Sequence, residues 1–185
     1  MTQARTVAVL VGSLRKASLS RKIAHSLAAL APDNLTLKIV EIGELPHYDQ
    51  DLEDEGAPKA WTEFRDAVRG ADAVLFVTPE FNRSVPGALK NAIDVGSRPY
   101  GKSVFSRKPA AIVSQSPGAL AAFGANHHLR QSLVFLDMPV LQQPEAYIGG
   151  SASLFDESGE LVKDDTRAFF TSFMAAFGAW IEKTA

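Results

Sequence analysis

The chain has no cysteine, which excludes disulfide bonds, thiolate catalysis and metal sites built on thiolates. No apolar run approaches the roughly 18 residues of a membrane span, and the N-terminus lacks the pattern of a signal peptide. The formal net charge is only -2. A nucleic-acid-binding protein would show a basic excess, and a docking electron carrier a strongly acidic surface. We therefore expect a soluble, cytoplasmic protein that binds neither membranes nor nucleic acid.

Metal and hydrolase motifs are also missing. The acidic run that begins at Asp49 has Asp54 and Ala60 where a calcium loop needs Gly and Glu. The adjacent His127 and His128 would diverge by about 100° on a helix, which disfavours a shared metal. There is no G-x-S-x-G nucleophile elbow. We expect no metal site and no hydrolytic triad.

The order of the predicted elements indicates a doubly wound α/β fold. At 185 residues, of which 46% are hydrophobic, the chain is expected to form one domain over residues 1–185. Strands that alternate with helices predict a parallel sheet covered on both faces. Apolar β-rich runs predict strands at 6–12, 35–42, 73–78, 110–113 and 138–141. Helical spacing predicts helices after residue 20, at 60–69, from Pro86, around 129–136 and at 164–183, with an acidic loop at 43–58.

Ligands of open α/β sheets bind beyond the carboxyl ends of the strands, where three loops of this chain are expected. The first loop, 12–20, combines three serine hydroxyls and two cations with a helix start, a combination that suits a phosphate. It matches neither the ATP-binding nor the dinucleotide-binding glycine motif. Among phosphate ligands, a terminal phosphate monoester fits this loop. From the loop alone, the alternative that Ser18 or Ser20 only caps the helix stays open.

The second and third loops suit a flat ring. The second loop, 79–94, is stiffened by Pro79, Pro86 and Gly87 and projects an aromatic and an amide side chain from a strand end. A planar heteroaromatic ring needs backbone partners along its edge and apolar surface against its face, and such a turn supplies both. The third loop, 115–118, can line the other side of the ring.

Together these segments resemble the NADPH-dependent FMN reductase family, a flavodoxin-like group that includes bacterial quinone, chromate and azo reductases. The family pattern G-S-L-R-x-x-S is matched at 12–18, and P-E-[YF]-N-x-S-x-P-G-x-L-K-N-A-I-D at 79–94 without a gap. Shorter matches follow at 116–118, 128–130 and 144–145. The chain departs from the family at Ser20, where Asn is common, at Val95, where Trp is frequent, and at 119–121, where glycines are frequent.

The resemblance implies a five-stranded parallel sheet of order 2-1-3-4-5 and an FMN cofactor reduced by NADPH or NADH. The phosphate of FMN is then expected at Gly12, Ser13, Leu14, Arg15, Ser18, Leu19 and Ser20. The ring is expected at Pro79, Glu80, Phe81, Asn82, Ser116, Pro117 and Gly118. No side chain is assigned as a catalytic acid or base, because the cofactor carries the chemistry.

The implied activity is a ping-pong, two-electron NAD(P)H:quinone oxidoreductase, with chromate or azo compounds as further acceptors. Three alternatives stay open: a flavodoxin-type electron carrier, a reductase of free FMN, and a phosphate-binding or interaction module without flavin. A flavin site at a sheet edge leaves one ring face open, so we expect a homodimer or homotetramer that shares the site. The segment with Asp94, Gly96, Tyr100 and Phe105 is expected on the dimer surface, and Arg98, Tyr100 and Phe105 near the acceptor.

Overall fold

A five-stranded parallel sheet organises the protein. In the computed structural model, which describes residues 3–184, the strands follow the order β2-β1-β3-β4-β5. This confirms the predicted flavodoxin-like sheet order. The strands are β1 (Arg5–Val11), β2 (Leu35–Ile39), β3 (Ala73–Thr78), β4 (Ala110–Gln115) and β5 (Ala146–Ile148).

Helices cover both faces of the sheet. They are α1 (Leu19–Ala29), α2 (Gln50–Gly56), α3 (Lys59–Arg69), α4 (Gly87–Gly96), α5 (Phe123–Phe135) and α6 (Asp164–Thr184). On one face α1 and α6 pack on Val9 and Val113, and on the other α3, α4 and α5 pack on Leu10 and Ile112. Both faces of the central strands are thus buried, which explains their continuous apolar sequences. None of the helices among residues 3–184 has the length and apolarity needed to cross a membrane.

The fifth strand is not where the sequence predicts it. In 138–141 only Val140 forms an isolated bridge, to Ala110. The chain then leaves the sheet and returns as β5, which pairs with Val113–Gln115. Pro139 accepts the Ala110 N–H on its carbonyl (3.0 Å), but it has no N–H of its own with which to extend the pairing towards the preceding residues.

The acidic stretch 43–58 is also not the loop that the sequence predicts, because it contains α2. The Asp49 carboxylate caps this helix by accepting the Asp51 N–H (2.9 Å). A buried ion pair between Glu53 and Arg65 then fastens it to α3, and Arg65 also donates to the Val95 carbonyl at 2.9 Å. The stretch is therefore a fixed wall of the domain.

Candidate active site

The first loop turns tightly between β1 and α1. The Gly12 N–H donates to the Val77 carbonyl (2.9 Å), and a Cβ at Gly12 would lie 2.8 Å from Thr78 Oγ1, so only glycine fits. At the other end Ser18 is the N-cap of α1, and its Oγ accepts the Arg21 N–H at 3.1 Å. The loop is thereby fixed at both ends.

The start of α1 offers the features of an anion site. The Leu19 N–H lies in the first helical turn, where a helix supplies no acceptor, and the helix dipole favours negative charge there. Arg15 and Lys16 are exposed beside it. Ser13 and Ser18 are nearly buried under the loop surface. A phosphate fits this combination of amide, hydroxyl and cation.

Ser20 occupies a different place from the one expected of a phosphate ligand. The residue is completely buried, and its Oγ accepts the Gln115 Nε2–H at 2.9 Å. A ligand cannot touch a side chain without accessible surface. In this conformation Ser20 therefore supports the loop from beneath.

The second loop begins with a tight hairpin after β3. Phe81 and Ser84 exchange two backbone hydrogen bonds of 3.0 and 2.9 Å. Between them Asn82 and Arg83 have φ angles of 50° and 63°, the left-handed values of a type I′ turn. The turn holds the Phe81 ring in solvent, where the side chain is 56% exposed. It presents backbone groups and one aromatic face as a rigid unit.

The Glu80 side chain points away from the expected ring. One carboxylate oxygen accepts the Ala125 N–H (3.0 Å) in the first turn of α5, and the other lies 3.4 Å from the Arg83 guanidinium. A Cβ at Gly124 would approach both Glu80 Oε2 and the Arg83 carbonyl to 2.9 Å, so glycine permits this contact. Only the backbone of Glu80 is left to meet a ligand.

The third loop is braced by its neighbours. Ser116 donates its N–H to Ile148 (3.0 Å) and receives the Ser151 N–H on its carbonyl (3.2 Å). Its Oγ accepts the Gly118 N–H at 2.9 Å. Pro117 and Gly118 are exposed at the rim. The loop therefore presents a firm backbone surface opposite the second loop.

Apolar side chains surround the three loops at the carboxyl edge of the sheet. Leu14, Phe81, Leu120 and Phe123 are each more than half exposed there. Solvent-exposed apolar groups gathered around one cleft mark a binding surface. The edge thus offers an anion site at α1 and an apolar border for a flat ring. Both ends of a flavin mononucleotide fit these residues.

A cleft of about 520 Å³ adjoins the second loop and runs between α4 and α5. Its lining residues are Ser84, Val85, Lys90, Ile93, Asp94, Ser97, Arg98, His128, Gln131, Ser132, Phe135 and Leu136. Ser84 Oγ and His128 Nδ1 are hydrogen-bonded at 2.9 Å at its upper end. No motif in the sequence predicts this cleft, because the residues that line it come mainly from two separate helices.

Phe105 does not join the acceptor site or a dimer surface. It is completely buried, packs on Phe76 and closely contacts Gly96, which is itself buried. Arg98 places its guanidinium over the Tyr48 ring, 5.9 Å from the ring centre. Tyr100 is 86% exposed. Asp94, Arg98 and Tyr100 of this segment therefore keep accessible surface for contacts.

Side chains of β5 and α5 form a polar cluster next to the third loop. The Tyr147 hydroxyl donates to Glu145 (2.9 Å) and is hydrogen-bonded to His127 Nε2 (3.0 Å). Burial, and then the bond to Glu145, raise the pKa of Tyr147 to about 12. Tyr147 is thus a neutral donor at physiological pH. Among residues 3–184, no three His, Asp or Glu side chains are grouped as a metal site.

Comparison with known proteins agrees with this geometry. A family model described as NADPH-dependent FMN reductase matches residues 5–153. A quinone reductase of Pseudomonas putida is 64% identical, over 98% of this chain and 97% of its own. A 2-hydroxy-1,4-benzoquinone reductase of a Burkholderia species is 45% identical, over 95% of each chain.

A solved structure is also similar along the whole chain. It is FerB, a flavoenzyme NAD(P)H:(acceptor) oxidoreductase from Paracoccus denitrificans, with a TM-score of 0.92 and 42% identity. The match covers 98% of this chain and 99% of FerB. The family match extends over all three loops at the carboxyl edge of the sheet. This chain belongs to the NADPH-dependent FMN reductase family.

Proposed function

We propose that the protein is an FMN-dependent NAD(P)H:quinone oxidoreductase. The observation that carries the proposal is the pairing, at one sheet edge, of an anion site at the start of α1 with a rigid, apolar-bordered surface between the second and third loops. Relatives named quinone reductase at up to 64% identity support a quinone as the acceptor. Chromate and azo compounds stay predictions as further acceptors, and the cytoplasmic location stays a prediction of the sequence.

The residues divide into a phosphate subsite and a ring subsite. When bound, FMN supplies hydride acceptance from NAD(P)H and two-electron delivery to the acceptor. We assign the phosphate to six residues of the first loop: Gly12, Ser13, Leu14, Arg15, Ser18 and Leu19. The ring is assigned to Pro79, the Glu80 backbone, Phe81, Asn82, Ser116, Pro117 and Gly118.

The protein contributes orientation and electrostatics. The hairpin Phe81–Ser84 is closed by its own backbone bonds, so its outward N–H groups are held in position before any ligand arrives. Donors held in this way favour negative charge on a ring that lies against them, without reorganisation. No side chain of the site is assigned as an acid or base.

We also propose that a second subunit covers the open side of the site. The cleft between α4 and α5 begins at Ser84, directly after the ring turn, and ends near Phe135, which is 77% exposed. Tyr100, two residues after the lining residue Arg98, is 86% exposed. On α4 the pair Lys90 and Asp94 (2.7 Å) places opposite charges one turn apart. A two-fold axis would set each charge against its opposite in the partner.

The test of the activity is an anaerobic titration of the purified protein with NADPH, followed by flavin absorbance and then by addition of benzoquinone. Bleaching by NADPH and recovery by benzoquinone are expected. A bound flavin that NADPH does not bleach would identify an electron carrier. FMN that leaves the protein during gel filtration would identify a reductase of free FMN, and failure to bind FMN at all a module without flavin.

The test of the shared site is sedimentation together with quinone reduction across a dilution series. Specific activity should fall as the dimer dissociates. Tyr100→Glu should shift dissociation to higher protein concentration, whereas Lys163→Glu, on the loop before α6, should not. A fully active monomer that retains FMN would contradict the shared site.

A further inference from the structure

A buried chain of three polar side chains lies beneath the candidate site. Ser151 Oγ donates to Gln115 Oε1 (2.6 Å), and Gln115 Nε2 donates to Ser20 Oγ (2.9 Å). Gln115 is 5% exposed, and both serines are completely buried. These two hydrogen bonds join the start of α1, the end of β4 and the 3-10 turn at Ser151–Ser153.

Gln115 stands where an apolar residue would be expected. Val113, two residues earlier on the same face of β4, belongs to the core between the sheet and helices α1 and α6. A buried amide is unfavourable unless its polar atoms are hydrogen-bonded. Here both ends of the amide are bonded, and both partners belong to segments that carry the site. The buried amide therefore links the segments that carry the site.

The chain of hydrogen bonds connects the two subsites. Ser20 is the second residue of α1, whose first turn forms the phosphate subsite. Gln115 directly precedes Ser116 of the ring subsite, and the Ser151 N–H donates to the Ser116 carbonyl (3.2 Å). One amide side chain thus fixes the start of α1 relative to the third loop.

We infer that Gln115 is a positioning residue for FMN, which sets the distance between the phosphate and ring subsites through Ser20 and Ser151. The inference rests on the proposed FMN site. FMN contacts both subsites at once, so its affinity depends on their spacing being correct before binding. Riboflavin lacks the phosphate and engages the ring subsite alone. Replacement of Gln115 should therefore weaken the binding of FMN much more than the binding of riboflavin.

The experiment compares Gln115→Met with wild-type protein. Methionine is similar in length but neither accepts nor donates a comparable hydrogen bond. Fluorescence titration of the apoprotein should give an FMN dissociation constant raised about tenfold, the equivalent of one net hydrogen bond. The riboflavin dissociation constant should stay within about twofold, since the ring subsite keeps its own backbone bonds. Val113→Ala is the matched control: it lowers urea stability without changing the ratio of the two constants.

A double variant separates this role from general stability. Ser20→Ala should weaken FMN binding selectively, and Gln115→Met should add little in that background, because the link between the two subsites is already broken at Ser20. Equal weakening of FMN and riboflavin, or additive effects in the double variant, would overturn the inference. If Gln115→Met does not fold, the ratio of the FMN and riboflavin dissociation constants in Ser20→Ala and in Ser151→Ala tests the inference instead. Wild-type protein that fails to bind FMN would instead contradict the proposed function.

Discussion

Ser18 allows the phosphate role of the first loop to be separated from its role as a helix cap. Its Oγ accepts the Arg21 N–H at 3.1 Å, which is a capping contact, and the residue lies at the proposed phosphate subsite. The variant Ser18→Asp keeps the cap, because aspartate caps helices as well as serine does and suits the helix dipole. It also places a carboxylate beside the phosphate. We expect a folded protein that has lost its flavin.

The expected magnitude follows from electrostatics at the loop surface. Two unit charges about 4 Å apart repel by about 4 kcal/mol at an effective dielectric constant of 20. Since about 1.4 kcal/mol corresponds to a tenfold change, FMN should bind roughly 1,000-fold more weakly. Riboflavin should be unaffected. Ser18→Ala should behave differently, losing about 1 kcal/mol of unfolding free energy with the cap and much less FMN affinity.

The assay is a fluorescence titration of each apoprotein with FMN and with riboflavin, together with urea unfolding. Unchanged FMN affinity in Ser18→Asp would remove the start of α1 from the site and leave Ser18 as a cap only. Equal loss of both flavins together with lowered stability would point to a damaged fold. Either result would contradict the prediction that Ser18→Asp acts by placing a charge beside the phosphate.

Three further predictions concern single side chains. Arg15→Ala should weaken the binding of FMN by about 1.5–3 kcal/mol, the range of a charge-assisted hydrogen bond. The control Lys163→Ala should leave the FMN dissociation constant unchanged in the same fluorescence titration. Glu80→Ala removes the carboxylate from the Ala125 N–H and should lower the urea unfolding free energy by about 1–2 kcal/mol, whereas Glu80→Gln retains most of it. The folded-state pKa of Tyr147 is raised to about 12, so folding stability should decline between about pH 10 and 12, as the unfolded state ionises first. In urea titrations across this pH range, Tyr147→Phe should make the unfolding free energy decline less steeply with pH. An unchanged decline would contradict a raised pKa of Tyr147 in the folded state.

Periodicity in the sequence was sufficient for the core of the fold. β1, β3 and β4 are continuous apolar runs because both of their faces are covered. Phe170, Phe173 and Phe177 recur at helical spacing on α6 and pack in the core beside the sheet. The fifth strand and α2 escaped prediction for opposite reasons. Residues 138–141 have strand composition but pair with β4 only at Val140, and the chain then leaves the sheet before it returns as β5. The acidic α2 is joined to α3 by a buried ion pair, which local composition does not reveal.

The sequence was sufficient to predict the ligand class through its resemblance to a family, because each motif of the first and second loops is a contiguous stretch of residues. Which side chains can face the ligand was decided only by tertiary structure. Glu80 turns to the start of α5, Ser20 is covered by Gln115, and Phe105 fills the core. Gln115 was expected in the loop that lines the ring, but it is buried, and its bonding partners lie 95 and 36 residues away. Contacts between residues so far apart arise from strand order and helix packing, which no local pattern encodes.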